Sequence, residues 1–435
     1  MLILLPRSWH RNAIARVGVG STGYCPCAAA CAVSLAARFS LLTYVPTFVW
    51  GLSRRQHPAY ALFTSTPFFY TSLRLGGPMR PSLLLSTAAL VSTLGLGCTD
   101  GPAPTDPSAP AATEPASLTR AAARTPLAPT TQLLVTGLQE LQGSTVGPGG
   151  ALFVTAPLTG RIWRVDPETG AVTLFASGLP ARIPDFFFIG SGVVDVAFIG
   201  GTAYALVTGV GPDLEGDDVV GIYRVDSPNS FTVVADLGAF SLANPPATDF
   251  FVPTGFQYAI EAFRGGFLVT DGHHNRVLRV TRDGEITELI AFGNVVPTGL
   301  TVSGNSIYVA QAGPIPHKPE DGRVVVFGAR SSAETVVAAG APLLVDVEFG
   351  RGRTLFALAQ GVWDGPFEGT PALPNTGALV QVDGKGTFTV LAEGLDRPTS
   401  LEIINNTAYV VTLGGEIWTI DNIAGPPFGR PLKSR

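Results

Sequence analysis

From about residue 131 to 423 apolar and polar positions alternate in short bursts: "GALFVTA" (150–156), "TAYALVT" (202–208), "GGFLVTD" (265–271), "NSIYVAQ" (305–311) and "TLFALAQ" (354–360). Each is rich in β-branched and aromatic residues and is bounded by Gly, Asp or Asn. A period of two with such boundaries predicts strands rather than helices. A second set follows the first at a fixed interval, as "RIWRVDP", "GIYRVDS", "RVLRVTR", "RVVVFGA" and "ALVQVDG". A third closes each period: "AVTLFASGL" (171–179), "FTVVADLG" (231–238), "ITELIAFG" (286–293), "ETVVAAG" (334–340) and "TFTVLAEGL" (387–395). With an inner strand such as "PTGLTVSGN" before them, these make four antiparallel strands per repeat. That pattern predicts the blades of a β-propeller.

The number of blades follows from the ends. Five full repeats occupy about 139–395, and the sixth, "PTSLEIINNTAYVVTLGGEIWTIDNI" (398–423), lacks its outermost strand. The segment "TQLLVTGL" (131–138) has the closing pattern and stands alone at the front. Residues 137–155 and 394–412 align without a gap, as they must if both follow a closing strand. The expectation is an all-β, six-bladed propeller over 131–423, its ring closed by the N-terminal strand pairing into the last blade, with a tail at 424–435.

The rest of the chain changes the picture in two ways. Residues 1–78 hold seven Arg and no Lys, Asp or Glu, which leaves 21 basic against 33 acidic side chains in the remainder. An acidic domain argues against nucleic acid as a partner, because phosphate needs Lys and Arg. Residues 1–78 show no strand alternation and no helical stripe, and we read them as an extension preceding the true start at Met79. There, "MRPSLLLSTAALVSTLGLGC" has a basic start, an apolar run and small residues before Cys98, the pattern of a secretory signal. Its "LGLGC" end resembles a bacterial lipobox, in which Cys98 is lipidated and becomes the N-terminus; Gly95 stands where Leu is usual. Cleavage by an ordinary signal peptidase is the alternative. Residues 99–130, rich in Pro, Ala and Thr, are expected to be a tether. These features predict export to the periplasm or cell surface, with contact to the membrane only through the lipid.

The segment "LVTDGHHNRVLRVTRDG" is similar to NHL repeats, in which a strand, an Asp, a short Asn-bearing turn and Arg-Val succeed one another. Over 131–423 the chain resembles the ScyD/ScyE family of bacterial propellers. More distantly it resembles gluconolactonases and related SMP-30-like six-bladed hydrolases, which implies a divalent cation at the channel mouth.

Loop lengths say where a site would lie. The a–b and c–d turns are uniformly tight, whereas the b–c loops and blade crossovers, such as 209–220, 241–251, 312–322 and 361–376, are long. One face is therefore elaborated, and binding residues concentrate on such loops. On it fall the candidate ligand-binding residues His273, His274, His317, Trp363 and Phe367, with Phe186, Phe187, Phe188, Phe250 and Phe251 in the crossovers. "DGHHN" itself reads first as a polar b–c turn whose Asp271 and Asn275 bond local backbone. The inner strands of blades 3, 4 and 6 begin "PTG", "PTG" and "PTS" at Pro253, Pro297 and Pro398. Blades 2 and 5 have "VVDVAF" and "LVDVEF", so Asp195 and Asp346 stand half a turn apart and should face each other across the channel. Such a pair would hold calcium or another divalent cation, or each would cap local backbone. No motif fixes a cofactor, and no nucleophile elbow, P-loop or dinucleotide fingerprint is present. No residue is assigned a catalytic role. The sequence reads first as a non-catalytic module that binds a protein or small molecule on its loop-rich face. A metal-dependent, lactonase-like hydrolase or lyase at the channel mouth is the alternative.

Overall fold

The computed structural model describes residues 127–184, 190–331, 333–367 and 369–425. The expected signal, Cys98, most of the tether and Phe186–Phe188 lie outside the described residues. Among the described residues no helix is long and apolar enough to cross a membrane.

The chain is a six-bladed β-propeller. β1 (Thr130–Val135) comes first. Blade 1 comprises β2 (Ser144–Val146), β3 (Leu152–Ala156), β4 (Arg161–Val165) and β5 (Val172–Ser177). Blade 2 comprises β6 (Gly192–Ile199), β7 (Thr202–Thr208), β8 (Gly221–Ser227) and β9 (Ser230–Asp236). Blade 3 has β10 (Gln257–Phe263), β11 (Gly266–Asp271), β12 (Arg276–Val280) and β13 (Ile286–Ala291). Blade 4 has β14 (Pro297–Ser303), β15 (Ser306–Gln311), β16 (Arg323–Gly328) and β17 (Thr335–Ala339). Blade 5 has β18 (Leu344–Phe349), β19 (Leu355–Ala359), β20 (Gly377–Val382) and β21 (Phe388–Leu395). Blade 6 is built from β22 (Pro398–Ile404), β23 (Thr407–Thr412), β24 (Ile417–Asp421) and, outermost, β1. β1 runs antiparallel to β24 with Thr131 opposite Ile420 and Leu133 opposite Trp418. The first strand thus closes the ring, as the unpaired "TQLLVTGL" predicts.

Alternation places every second strand residue between blades, where apolar surface leaves water. Blades 1, 2 and 3 share one core around Phe153, Leu206, Ile222 and Phe267. A second core joins blades 5 and 6 around Phe356, Leu379 and Val410.

Two details depart from the sequence expectation. A short helix, α1 (Leu237–Ala243), follows β9, started by the Asp236 carboxylate, which accepts from Ala239 N at 2.7 Å. The Pro253-Thr254-Gly255 segment does not open an inner strand as Pro297 and Pro398 do, because β10 begins only at Gln257. Thr254 is held outside the sheet by Asp213, whose Oδ2 accepts from its amide and its hydroxyl at 3.0 and 2.9 Å.

Candidate functional site

The two-residue hairpins Ile199/Thr202, Phe263/Gly266, Ser303/Ser306 and Ile404/Thr407 fix a common register for four inner strands. Counting back from each turn, Asp195, Ala259, Gly299 and Ser400 share one level. Val194, Tyr258, Thr298 and Thr399 share the level above it. The gapless alignment of 137–155 with 394–412 adds Gly143 to the first level and Gln142 to the second. Register shifts in the inner strands, such as that between Val193 and Asp195, let successive residues line the channel.

Tyr258 divides that channel. Its hydroxyl donates to Thr399 O in the opposite blade at 3.0 Å, so the ring spans the interior. Burial, with Asp346 and Asp195 nearby, pushes its phenol well above the usual range.

Below Tyr258 lies a narrow chamber of about 30 Å³ lined by Asp195, Glu261, Asp346, Glu348 and Glu402, with no Lys, Arg or His among its described walls. The two aspartates do line one chamber from opposite blades. Each is also tied to backbone. Asp195 accepts from Val196 N and from Ile260 N of the next blade, both at 2.8 Å. Asp346 accepts from Val347 N at 2.8 Å, Leu401 N at 2.7 Å and Ser400 Oγ at 3.2 Å. Gly143 and Gly299 make room for them, since a Cβ at either would collide with the carboxylate of the following blade. The half-turn symmetry inferred from sequence is therefore a pair of blade-to-blade clamps.

Removal from water is the main cause that raises all five acids. Asp346 is pushed up to about 7. Glu261 rises to about 8, helped by the charge of Asp346. Asp195, Glu348 and Glu402 stand well above the ordinary carboxylate range. The glutamates keep some contact with water in the open chamber, which tempers the effect without changing its direction. A resident divalent cation fits this chamber poorly. The aspartate oxygens are already engaged by backbone, and among the described residues no group of three or more His, Cys, Asp or Glu is placed to hold a metal. Glu261, Glu348 and Glu402 were not singled out from sequence. They stand two positions after the aspartate level, and counting back from the hairpin turns would have found them.

Above Tyr258 is a larger cavity of about 160 Å³, opening on the loop-rich face. Its walls are mostly apolar, among them Phe251, Val252, Phe256, Val296, Leu343 and Val345. His273 and His317 both line it. His317 meets Trp363 edge to face at 5.4 Å between ring centroids, and Trp363 Nε1 donates to Thr370 O at 3.0 Å. Phe251, 57% exposed, and Phe367, 46% exposed, stand in loops of this face.

His274 is not part of this cavity. The "DGHHN" turn is a b–c turn, but a buried one whose bonds reach well beyond its own backbone. His273 Nε2 accepts from Phe251 N and Val252 N at 2.9 and 3.0 Å. His274 Nε2 lies 3.0 Å from Val252 O, which can only accept, so that nitrogen carries the hydrogen. Asn275 Oδ1 accepts from Val295 N and Val296 N, both at 2.9 Å. Arg276, fully buried, donates to Asp271, Asn244 O and Ser241 Oγ. Burial alone would raise the Asp271 carboxyl; bonds from His274 and Phe256 N and the charges of His274 and Arg276 hold it below the ordinary value. The turn pins two crossovers, 241–252 and 292–296, and so shapes the wall of the cavity.

No protein-family model matches the chain, and no curated protein does. Among solved structures it is similar to a gluconolactonase from Xanthomonas campestris at 12% identity and a TM-score of 0.47, over 67% of this chain and 89% of that one. It is also similar to virginiamycin B lyase from Staphylococcus aureus (14% identity, TM-score 0.44, 67% and 98% of the two chains). A third is the PQQ-bound aldose sugar dehydrogenase from Streptomyces coelicolor (14% identity, TM-score 0.47, 68% and 99%). The three names record three different reactions, and at such identities none of them passes to this chain.

Proposed function

We propose that the protein is an exported propeller of the ScyD/ScyE type, tethered through lipid at Cys98, that acts as a non-catalytic binding module. The ligand is a small molecule, taken into the cavity above Tyr258. The observation that carries this reading is the cavity itself: concave, mostly apolar, with few polar groups, and formed by the long loops of a rigid scaffold. Trp363 beside His317 gives the test. A screen of small uncharged fragments should change tryptophan fluorescence and raise the melting temperature, and Trp363→Phe should remove the optical response while sparing the thermal one. If no fragment does either, the cavity is packing and the reading fails. Labelled palmitate should enter the bacterial protein and be absent from Cys98→Ser.

A metal-dependent hydrolase is the second reading; Asp195 and Asp346 share one chamber, but a cation there must displace the backbone amides that hold their oxygens. It requires calcium, magnesium, manganese or zinc to raise the melting temperature of wild-type protein but not of Asp195→Asn. A flat response to all four ends it.

A further inference from the structure

One polar side chain at the floor of the upper cavity is unlike its counterparts. At its level of the ring, Thr298 and Thr399 fasten backbone. Thr298 Oγ1 donates to Ala310 O and Leu344 O, and Thr399 Oγ1 to Leu141 O and Val411 O. Blade 1 has Gln142 there instead. Gln142 is 7% exposed and among the described residues its carboxamide has no hydrogen-bond partner, yet it lines both the upper cavity and the chamber below. Its amide opens onto the cavity, where a ligand that pairs with it would take the place of water on both its donor and its acceptor.

Three other polar groups of the floor and wall are engaged within the protein. The Tyr258 hydroxyl is given to Thr399 O, and Gln360 Oε1 accepts from Ala372 N at 2.9 Å. His273 Nε2 accepts two backbone amides. Among the described lining residues there is no Asp, Glu, Lys or Arg. A cationic ligand would therefore leave water without a counter-charge, which is strongly unfavourable, and an anionic one could look only to His273 and His317. Size limits the choice further: a cavity of roughly 150 Å³ holds one benzene ring, and this one is about 160 Å³.

We propose that the upper cavity recognises an uncharged single ring carrying a cis-amide edge, a lactam or a comparable cyclic imide or pyrimidine, paired edge to edge with the Gln142 carboxamide. A carboxamide presents one acceptor and one donor side by side. A ring N–H beside a C=O is its complement, so two hydrogen bonds form in place of none. An ester ring of the same shape offers only acceptors and can make one. Substituents on the ring would leave past Phe251 towards the loop-rich face. This inference rests on the binding reading given above and narrows its ligand class.

The test uses the full exported protein and three probes of similar size: δ-valerolactam, δ-valerolactone and benzene, titrated by calorimetry. The lactam should bind roughly tenfold or more tighter than the lactone, the difference expected for one hydrogen bond of about 1.4 kcal/mol. Gln142→Leu should abolish that preference and leave benzene affinity unchanged or improved. Equal affinity of wild-type protein for all three probes would overturn the amide pairing while sparing the cavity. A preference that survives in Gln142→Leu would overturn it as well. If none of the three binds, the binding reading falls and this inference with it. Should Gln142→Leu not fold, the lactam-to-lactone ratio of wild-type protein still decides.

Discussion

The six inner strands make two different interiors on either side of Tyr258. Above it, Tyr258, Thr298, Val345, Thr399 and Gln142 form a floor whose polar side chains, Gln142 apart, are bonded to described residues of the protein. Below it, the same strands bring five carboxyl groups together with no basic residue among the described walls. The difference lies in where each polar group finds its partner. In the upper half a threonine hydroxyl reaches neighbouring carbonyls and disappears from the surface. In the lower half a carboxylate reaches amides of the next blade and remains in the channel as an ionisable group. One half offers shape and a single amide; the other offers a store of protons and two clamps. This argues for seating a neutral ligand in the first and for a structural, pH-sensitive role in the second.

The largest effect should come from the turn that shapes the upper wall. Arg276→Met leaves Asp271 fully buried without its cation and frees the 241–252 crossover. Removing one partner of a buried ion pair costs about 3–5 kcal/mol, so the midpoint of urea unfolding should fall steeply. A variant as stable as wild type would show that the upper wall does not depend on this turn.

The lower half makes a prediction about pH. Asp346 is raised from 3.8 to about 7 and Glu261 from 4.5 to about 8, in both cases chiefly by desolvation. The folded protein therefore retains protons that the unfolded chain has released, and unfolding liberates them across the window from about pH 4 to about pH 8. Stability must fall as pH rises through that window. Asp271 works in the opposite sense: its depressed value contributes stability above the ordinary carboxylate range, lost only in stronger acid. The melting temperature should be higher near about pH 5 than near about pH 9, and replacing Glu261, Glu348 and Glu402 together by Gln should flatten the difference. A melting temperature that climbs towards alkaline pH would refute the protonated chamber.

The clamps separate two roles that a carboxylate can have there. Asp346→Ala strands Leu401 N and Val347 N and should cost roughly 1–3 kcal/mol. Asp346→Asn removes the charge and keeps one of the two acceptors, while its NH2 faces the other backbone amide, so it should cost less than the alanine but still be measurable. If the two substitutions are equally harmful by thermal unfolding, charge rather than backbone capping is what the fold requires.

Strand periodicity and the lone front segment made the blades, their number and the closure by β1 legible, because those depend on local alternation and on counting. The Asp195–Asp346 opposition was legible too, from their equivalent places in blades 2 and 5. Blade 3 misled, because its "PTG" resembles the strand openings of its neighbours although Asp213 draws Thr254 into a loop. "DGHHN" looks like a polar surface turn since sequence shows the polar residues and not the crossovers that fold over them. Gln142 and Tyr258 carried no signal until the register was known. Their meaning comes from facing residues some 140 to 260 positions away, such as the Tyr258–Thr399 and Ser144–Ser400 bonds.

The smallest expected effect tests the boundary itself. Tyr258→Phe keeps the ring that divides the channel but loses the bond to Thr399 O. One such bond contributes about 0.5–1.5 kcal/mol, and Thr399 O is left without that donor. Stability should drop by that modest amount. If the ring alone divides the channel, a neutral ligand should bind the upper cavity as before and the pH dependence of melting should be preserved. If instead the hydroxyl is what holds the two interiors apart, the phenylalanine variant should swing aside. Ligand affinity and the pH profile would then change together, although each belongs to a different half. Measuring both on one variant therefore asks whether the halves are independent. Coupled changes would mean that the protons below set the affinity above.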